Sequence, residues 1–383
     1  MKKHLWRSAL YCTAFIIPLL STGPATAAPK THNTWCTEAV HLGMEQQKDT
    51  IPTKEIIIEK LEEVTVEQRK KGLQKSYFEP KNVVTVNAAE LLKAACCNLS
   101  ESFETNPSID VSYSDALMGA KQIKMLGLTS PYIMITEDNI PSVRGASQAY
   151  GLSFTPGTWV ESIQITKGAG SVVNGYESIS GQINTELIKP IKDIPFFLNT
   201  YGSTDSRYEL NTHFNKKISD KWSSSLFIHG NTRIAKYDMN NDGFLDNPLA
   251  KQINILNRWE YANAQKGWVS FTNFRYMNDK KQTGQLEFDP NRDRFTTNYW
   301  GSEINTERVD VSNKVGYVFP DMPYQSFGFQ NSFQSHKQES YFGLSQYDIQ
   351  QKSIYSNLLF NSIINNTKNK FTTGLNFTYD DYN

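Results

Sequence analysis

Beyond Pro190 the chain alternates apolar and polar residues with a period of two. Tyr208, Leu210, Thr212 and Phe214 interleave with Glu209, Asn211, His213 and Asn215. Val309, Val311, Val315, Tyr317 and Phe319 lie on a face opposite Asp310, Ser312, Lys314 and Gly316. Phe371, Leu375, Phe377 and Tyr379 alternate with Thr372, Gly374, Asn376 and Asp380. A period of two means strands with one apolar and one polar face. About nine such segments fill 191–383, each near the ~10 residues a strand needs to cross a bilayer. Short turns such as Ser219-Asp220-Lys221 and Asn366-Thr367-Lys368 alternate with longer loops, a habit of membrane barrels. A soluble β-sandwich also alternates. The apolar start of the chain, the aromatics and the loop lengths favour a barrel.

Before Pro190 the pattern is mixed. Val83–Val86, Tyr132–Ile135 and Val160–Ile165 predict short strands, and Asn87 opens a helix over Ala88–Ala95 with Glu90 three residues after its cap. Residues 28–68 are polar and aperiodic and predict a flexible leader. At the front, Lys2, Lys3 and Arg7 precede an apolar run from Ala9 to Leu20, and Ala25-Thr26-Ala27 supplies small residues for cleavage. This is an export signal over 1–27.

Charge and cysteine content narrow the function classes. Lys and Arg total 39, as do Asp and Glu, for a formal net charge of +0, which argues against a nucleic-acid partner. The 19 Tyr and 21 Phe suit interfacial girdles around a barrel. Cys12 leaves with the signal, so the mature chain keeps Cys36, Cys96 and Cys97, an odd number that makes no disulfide framework. No Ser-His-Asp, paired-carboxylate or phosphate-loop constellation stands out, so no enzyme is expected. His213, His229 and His336 read as wall histidines on alternating strands.

Three stretches carry a resemblance to a known family. The first is Val83-Val84-Thr85-Val86-Asn87-Ala88-Ala89-Glu90-Leu91, followed by Asn98 to Phe103 and Asn106-Pro107-Ser108-Ile109-Asp110-Val111. The second is Gln122 to Gly127, then Tyr132-Ile133-Met134-Ile135-Thr136-Glu137-Asp138-Asn139-Ile140-Pro141. The third and most specific runs from Val160-Glu161-Ser162-Ile163-Gln164-Ile165-Thr166-Lys167-Gly168 to Asn174-Gly175-Tyr176-Glu177-Ser178-Ile179-Ser180-Gly181-Gln182-Ile183-Asn184. Together they resemble the plug of TonB-dependent outer-membrane receptors, closely over 60–190 and by architecture alone beyond. Ser108 and Asn139 stand where that family usually has Gly, and Lys124 where it usually has Arg. Gly168, Gly170, Gly175 and Gly181 would serve positive φ and close backbone approach in a compact plug.

The resemblance implies a mainly β protein: a mixed α/β plug domain over 69–190, followed over 191–383 by an incomplete antiparallel transmembrane β-barrel. It implies the outer membrane of a Gram-negative bacterium, contact with its lipid, and active import of a scarce ligand: a metal complex, a siderophore or cobalamin. An uncoupled surface binding protein or passive pore is the alternative. Leu61, Glu62, Glu63, Val64, Thr65 and Val66 resemble the TonB box, an extended segment that adds a strand to a TonB-type energy-coupling protein. Relatives with a plugged lumen have about 22 strands. The end at Asp381-Tyr382-Asn383, on a polar continuation of an alternating segment, therefore reads as a truncation, with the remaining strands expected beyond it. As it stands, the chain is expected to aggregate or be degraded.

No cofactor is required on this reading, but two metal-like features stand out. Asp238, Asn240 and Asp242, with Gly243 and Asp246, imitate the first half of a calcium loop. Leu249 would occupy the position of the bidentate Glu, and an Asx-rich turn without an ion has the same spacing. Adjacent Cys96 and Cys97 could hold a soft metal, with His32, Cys36, His41 and Met44 in the leader as further ligands. No zinc or copper spacing is met, and small apolar packing is the preferred reading.

Overall fold

A computed structural model of the chain describes residues 73–75, 83–87, 98–103 and 109–383. The export signal, Leu61–Val66, Cys96, Cys97, Ser108 and the helix expected over Ala88–Ala95 lie outside the described residues. Contacts divide the chain between Val66 and Glu67, and every described residue belongs to the second unit, so plug and wall form one compact body. The fold class is as expected: a small mixed domain and a large antiparallel sheet.

The small domain begins with β1 (Leu73–Lys75), β2 (Val83–Asn87) and a one-turn helix, α1 (Leu99–Ser102). Asn98 caps α1, accepting from Glu101 N at 3.2 Å and donating to the Glu101 carboxylate at 3.2 Å. There follow β3 (Asp110–Asp115), β4 (Ala120–Met125), β5 (Leu128–Thr129), β6 (Ile133–Glu137), β7 (Ile140–Pro141), β8 (Val160–Lys167) and β9 (Gly181–Leu187). One sheet has the order β1-β2-β8-β9-β6-β7, with β6 and β9 parallel, and β3-β4-β5 form a second. Both close over one apolar core that includes Phe103, Ile123, Ile135, Ile163, Ile165 and Ile183.

Local chemistry shapes the turns. The β6–β7 turn puts both Asp138 and Asn139 at positive φ, 52° and 65°. Asn tolerates this region better than other side chains that carry a Cβ, which suits Asn139 to the turn. Gly168 and Gly175 adopt φ of 87° and 131°. A Cβ at Gly181 would collide with the Met125 thioether.

The large sheet is a meander of β10 (Phe196–Gly202), β11 (Arg207–Lys217), β12 (Trp222–Arg233), β13 (Leu249–Asn263), β14 (Trp268–Gly284), β15 (Gly301–Phe319), β16 (Met322–Phe342), β18 (Ile349–Ile364) and β19 (Asn366–Tyr382). A two-residue strand, β17 (Ser345–Gln346), pairs with the end of β16, and a one-turn helix, α2 (Pro290–Asp293), sits in the β14–β15 loop. β10 and β19 are the edges. Most strands are longer than the ten residues expected, reaching 21 in β16.

This sheet is inside out. On β11, Glu209, Asn211 and His213 are buried while Tyr208, Leu210 and Phe214 are exposed, and β13, β14 and β16 repeat the arrangement. The exposed face is banded. At the short-turn end, rings touch in series: Trp222 with Trp259 and Tyr261, then Trp268–Tyr317–Phe319–Phe327–Phe360–Phe371. Next come Phe274, Tyr276, Val309, Phe329, Phe333, Ile354 and Leu358, all exposed. Beyond them the face turns charged, with Lys337–Glu339 and Lys280–Glu303 pairs. From Phe327 to Lys337 a strand rises about 33 Å at ~3.3 Å per residue, or about 25 Å along the normal at a tilt of ~40°, the height of a lipid-facing band. The extra strand length therefore lies beyond the apolar band, at the long-loop end.

Candidate functional site

The inward face of the wall carries side chains whose charges would be expensive to bury alone, and the plug supplies their partners. Arg258, 1% exposed, reaches Asp138 Oδ2 through Nη1 at 2.5 Å. Arg275 donates to the Glu137 carboxylate at 3.2 Å and to the Phe154 carbonyl at 2.5 Å. Asn254 donates to the same carbonyl at 2.6 Å and orients Arg275 by accepting from its Nε at 3.1 Å. Thr155 Oγ1 donates to Glu137 at 3.1 Å.

Around this latch, wall side chains hold plug carbonyls: Arg308 takes Ser142 O at 2.9 Å, Gln334 takes Pro141 O at 2.8 Å and Lys314 takes Asp138 O at 3.3 Å. The β6–β7 turn and the 154–155 segment are thus gripped from β13, β14, β15 and β16. The turn is stiffened from within the plug, where Asn184 Oδ1 accepts from Asn139 N at 2.7 Å and from Thr136 Oγ1 at 2.9 Å. Beside the latch an apolar joint packs Trp159 and Leu187 of the plug on Phe227 and Leu256 of the wall. A second polar contact lies at β18–β19, where Arg144 binds Glu177 at 2.7 Å and Asp380 at 2.8 Å. Burial lowers the pKa of that guanidinium, but Glu177 and Asp380 outweigh the effect and hold it above its ordinary value. Nearer the outer end, burial and the adjacent Asp115 push the Tyr150 phenol up, so it stays neutral.

Two cavities flank the latch. One of about 380 Å³ lies at the long-loop end between Tyr113, Met118 and Ser153 of the plug and Arg233, Gln252 and Lys281 of the wall. One of about 500 Å³ lies at the short-turn end between Gln164, Gln182 and Asn184 of the plug and Phe271, Lys314 and Phe327 of the wall.

Asp238, Asn240, Asp242 and Asp246 are brought together on the exposed β12–β13 loop. Their oxygens accept from the loop's own backbone: Asp238 from Asp242 N and Gly243 N at 3.1 and 2.9 Å, Asp242 from Phe244 N at 2.8 Å, Asp246 from Met239 N at 2.7 Å. Among the described residues no three His, Cys, Asp or Glu side chains are grouped to hold a metal. His213, His229 and His336 are buried on the inward face.

Sequence reasoning missed the latch. Its signal was present as Arg258, Arg275 and Arg308 at inward positions of alternating strands, but which plug group each would meet, more than a hundred residues away, was not.

Residues 76–182 match the TonB-dependent receptor plug domain family. None of the curated proteins matches the sequence. Among solved structures, the ferripyoverdine receptor of the outer membrane of Pseudomonas aeruginosa has a TM-score of 0.64 at 12% identity, over 81% of this chain and 43% of the receptor. The siderophore receptor PiuA from Acinetobacter baumannii gives 0.61 at 14%, over 79% and 46%. The FpvAI–pyocin S2 complex gives 0.63 at 12%, over 79% and 42%. The chain thus spans less than half the length of these proteins and shares their fold.

Proposed function

We propose that this chain, a TonB-dependent receptor of the outer membrane by its plug domain and its fold, imports a scarce ligand at the long-loop end using energy delivered by a TonB-type coupling protein. The observation that carries this reading is the polar latch. A wall that exposes its apolar face to lipid and spends its buried arginines on a plug must be opened by separating charges. A ligand with equal affinity for the open and closed states shifts nothing, so outside work has to supply the difference. Leu61–Val66 is the segment that would receive it.

An iron siderophore is the first ligand to test, because the structural relatives include siderophore receptors; other metal complexes and cobalamin are the next. Calcium at Asp238, Asn240, Asp242 and Asp246 is a separate proposal resting on oxygen spacing alone. Its test is whether a chelator speeds protease nicking of that loop as Asp242→Ala does.

The deciding experiment deletes 61–66. Unchanged ligand binding with abolished uptake is the expected result. Undiminished uptake would point instead to a passive pore or an uncoupled surface binder.

A further inference from the structure

A polar row interrupts the lipid-facing band of the wall. Thr272, Asn313, Asn331 and Ser356 are direct cross-strand neighbours on β14, β15, β16 and β18, and all four are partly exposed. Phe274, Val311, Phe333 and Ile354 line its outer side, and Val315, Phe329 and Leu358 its inner side. Asn331 is four residues from Phe327 and six from Lys337. At ~3.3 Å per residue and a tilt of ~40° these are about 10 and 15 Å along the normal. The row therefore sits within the hydrocarbon band.

Acyl chains offer no hydrogen bonds, so a polar group at this depth has to find its partner in protein. Part of the row partners itself. Asn313 donates to Thr272 Oγ1 at 2.8 Å, and Ser356 donates to Asn331 Oδ1 at 2.8 Å. Among the described residues this leaves Asn313 Oδ1 as an acceptor and Asn331 Nδ2 as a donor. They lie side by side on β15 and β16 without bonding to each other. Asn257, on the outward face of β13, is different. It accepts from Trp259 Nε1 at 2.6 Å and donates to Ser225 O at 3.2 Å, so its own sheet uses both ends of the amide.

We propose that this face binds a second copy of the same chain, about a two-fold axis along the membrane normal that passes between β15 and β16 at Asn313 and Asn331. Such an axis sets β15 of each copy against β16 of the other. Asn331 Nδ2 of either copy then donates to Asn313 Oδ1 of the other, so one spare donor and one spare acceptor make two reciprocal bonds. Hydrogen bonds of this kind join membrane segments where apolar burial gives no net drive. Because each strand is tilted by ~40°, the two walls cross at about 80° and touch over a small patch. What stands at the crossing decides the contact, and there the two amides stand between Phe329 and Phe333, 41% and 43% exposed. A second copy is the occupant these groups specify, because the leftover donor and acceptor complement each other and a two-fold uses both at once. The pairing goes beyond the import reading and does not depend on it.

The test is made on the receptor in native outer membranes, with two differently tagged versions produced together. One carries a benzophenone amino acid in place of Val311 or of Val315, the short outward residues flanking Asn313. Illumination joins the benzophenone to whatever C–H bonds lie against it. A product bearing both tags is expected from at least one of these positions, and none from the same group in place of Leu226, outward on β12. Asn313→Leu with Asn331→Leu in both versions is expected to lower the doubly tagged product at least about fivefold, the loss of hydrogen bonds between membrane segments. Leu suits lipid, so this variant still inserts, as heat-modifiable migration verifies. Adducts with lipid or with another protein alone would overturn the pairing and leave the row as a ladder closed on itself or the seat of a different partner. A doubly tagged product as strong from Leu226, or one that survives the Leu substitutions undiminished, would overturn it equally.

Discussion

The plug buries its apolar side chains among themselves, whereas the wall buries its polar ones and turns the apolar ones outward. Ile165 and Ile183, 0% exposed and paired in register across β8–β9, typify the first; Arg258 at 1% and Phe329 at 41% typify the second. Strand β8 of the plug, with Val160, Ile163 and Ile165 buried among polar neighbours, alternates much as the wall strands do. The contrast shows that a sheet is not told which face is inside by its own pattern. The plug answers to water, so its apolar faces collapse together. The wall answers to lipid outside and to a polar plug inside, so the sense of burial reverses.

Four experiments break or sharpen this contrast, taken from the largest effect down. Ile165→Asp puts an unpaired charge in the plug core and is expected to cost more than about 4 kcal/mol, unfolding the plug. Trypsin resistance of the purified receptor reads this out, and a plug as resistant as the parent's would show that the core is looser than its burial implies.

Arg258→Met removes one partner of a buried pair and is expected to loosen plug from wall by about 3–5 kcal/mol; adding Asp138→Asn should restore most of the loss, since the stranded charge goes with it. A double-mutant cycle in urea measures the coupling. Additive losses would mean that the pair does not act as a unit.

On the outward face Phe329→Arg is expected to cost about 2–4 kcal/mol in lipid if it sits near the midplane, and about 0–1 near the interface. Denaturation in vesicles against detergent checks it, and an equal effect in both would place Phe329 away from hydrocarbon. The smallest effect is at the β6–β7 turn. Asn139→Gly should be nearly neutral and Asn139→Ala worse by about 1 kcal/mol, because φ is positive there; thermal melts distinguish the two.

Much of this fold was legible in the sequence for identifiable reasons. Period-two alternation is a local signal, so strands such as β11, β15 and β19 could be read from their own residues. The plug stretches could be read because turns with special φ leave glycines and asparagines behind, as at Asn139, Gly168 and Gly175. Strand length was underread: alternation near β16 continues past the lipid band into Lys337 and Glu339, where charge replaces aromatics without changing the period. The Asn366-Thr367-Lys368 turn was read one residue late, since Asn365, at φ of 63°, makes the reversal and Asn366 already begins β19.

By itself, then, the sequence determined the strands, the alternation of their faces, the positive-φ turns and the balance of charge, all of which depend on near neighbours along the chain. The tertiary structure alone decided which face is inside and which charges meet. Glu137 and Arg275 are 138 positions apart, Asp138 and Arg258 are 120, and no local pattern encodes such a separation. The pairs form because the plug's positive-φ turn and the inward faces of β13 and β14 meet in a space that excludes water, where an unpartnered charge would be too costly to keep.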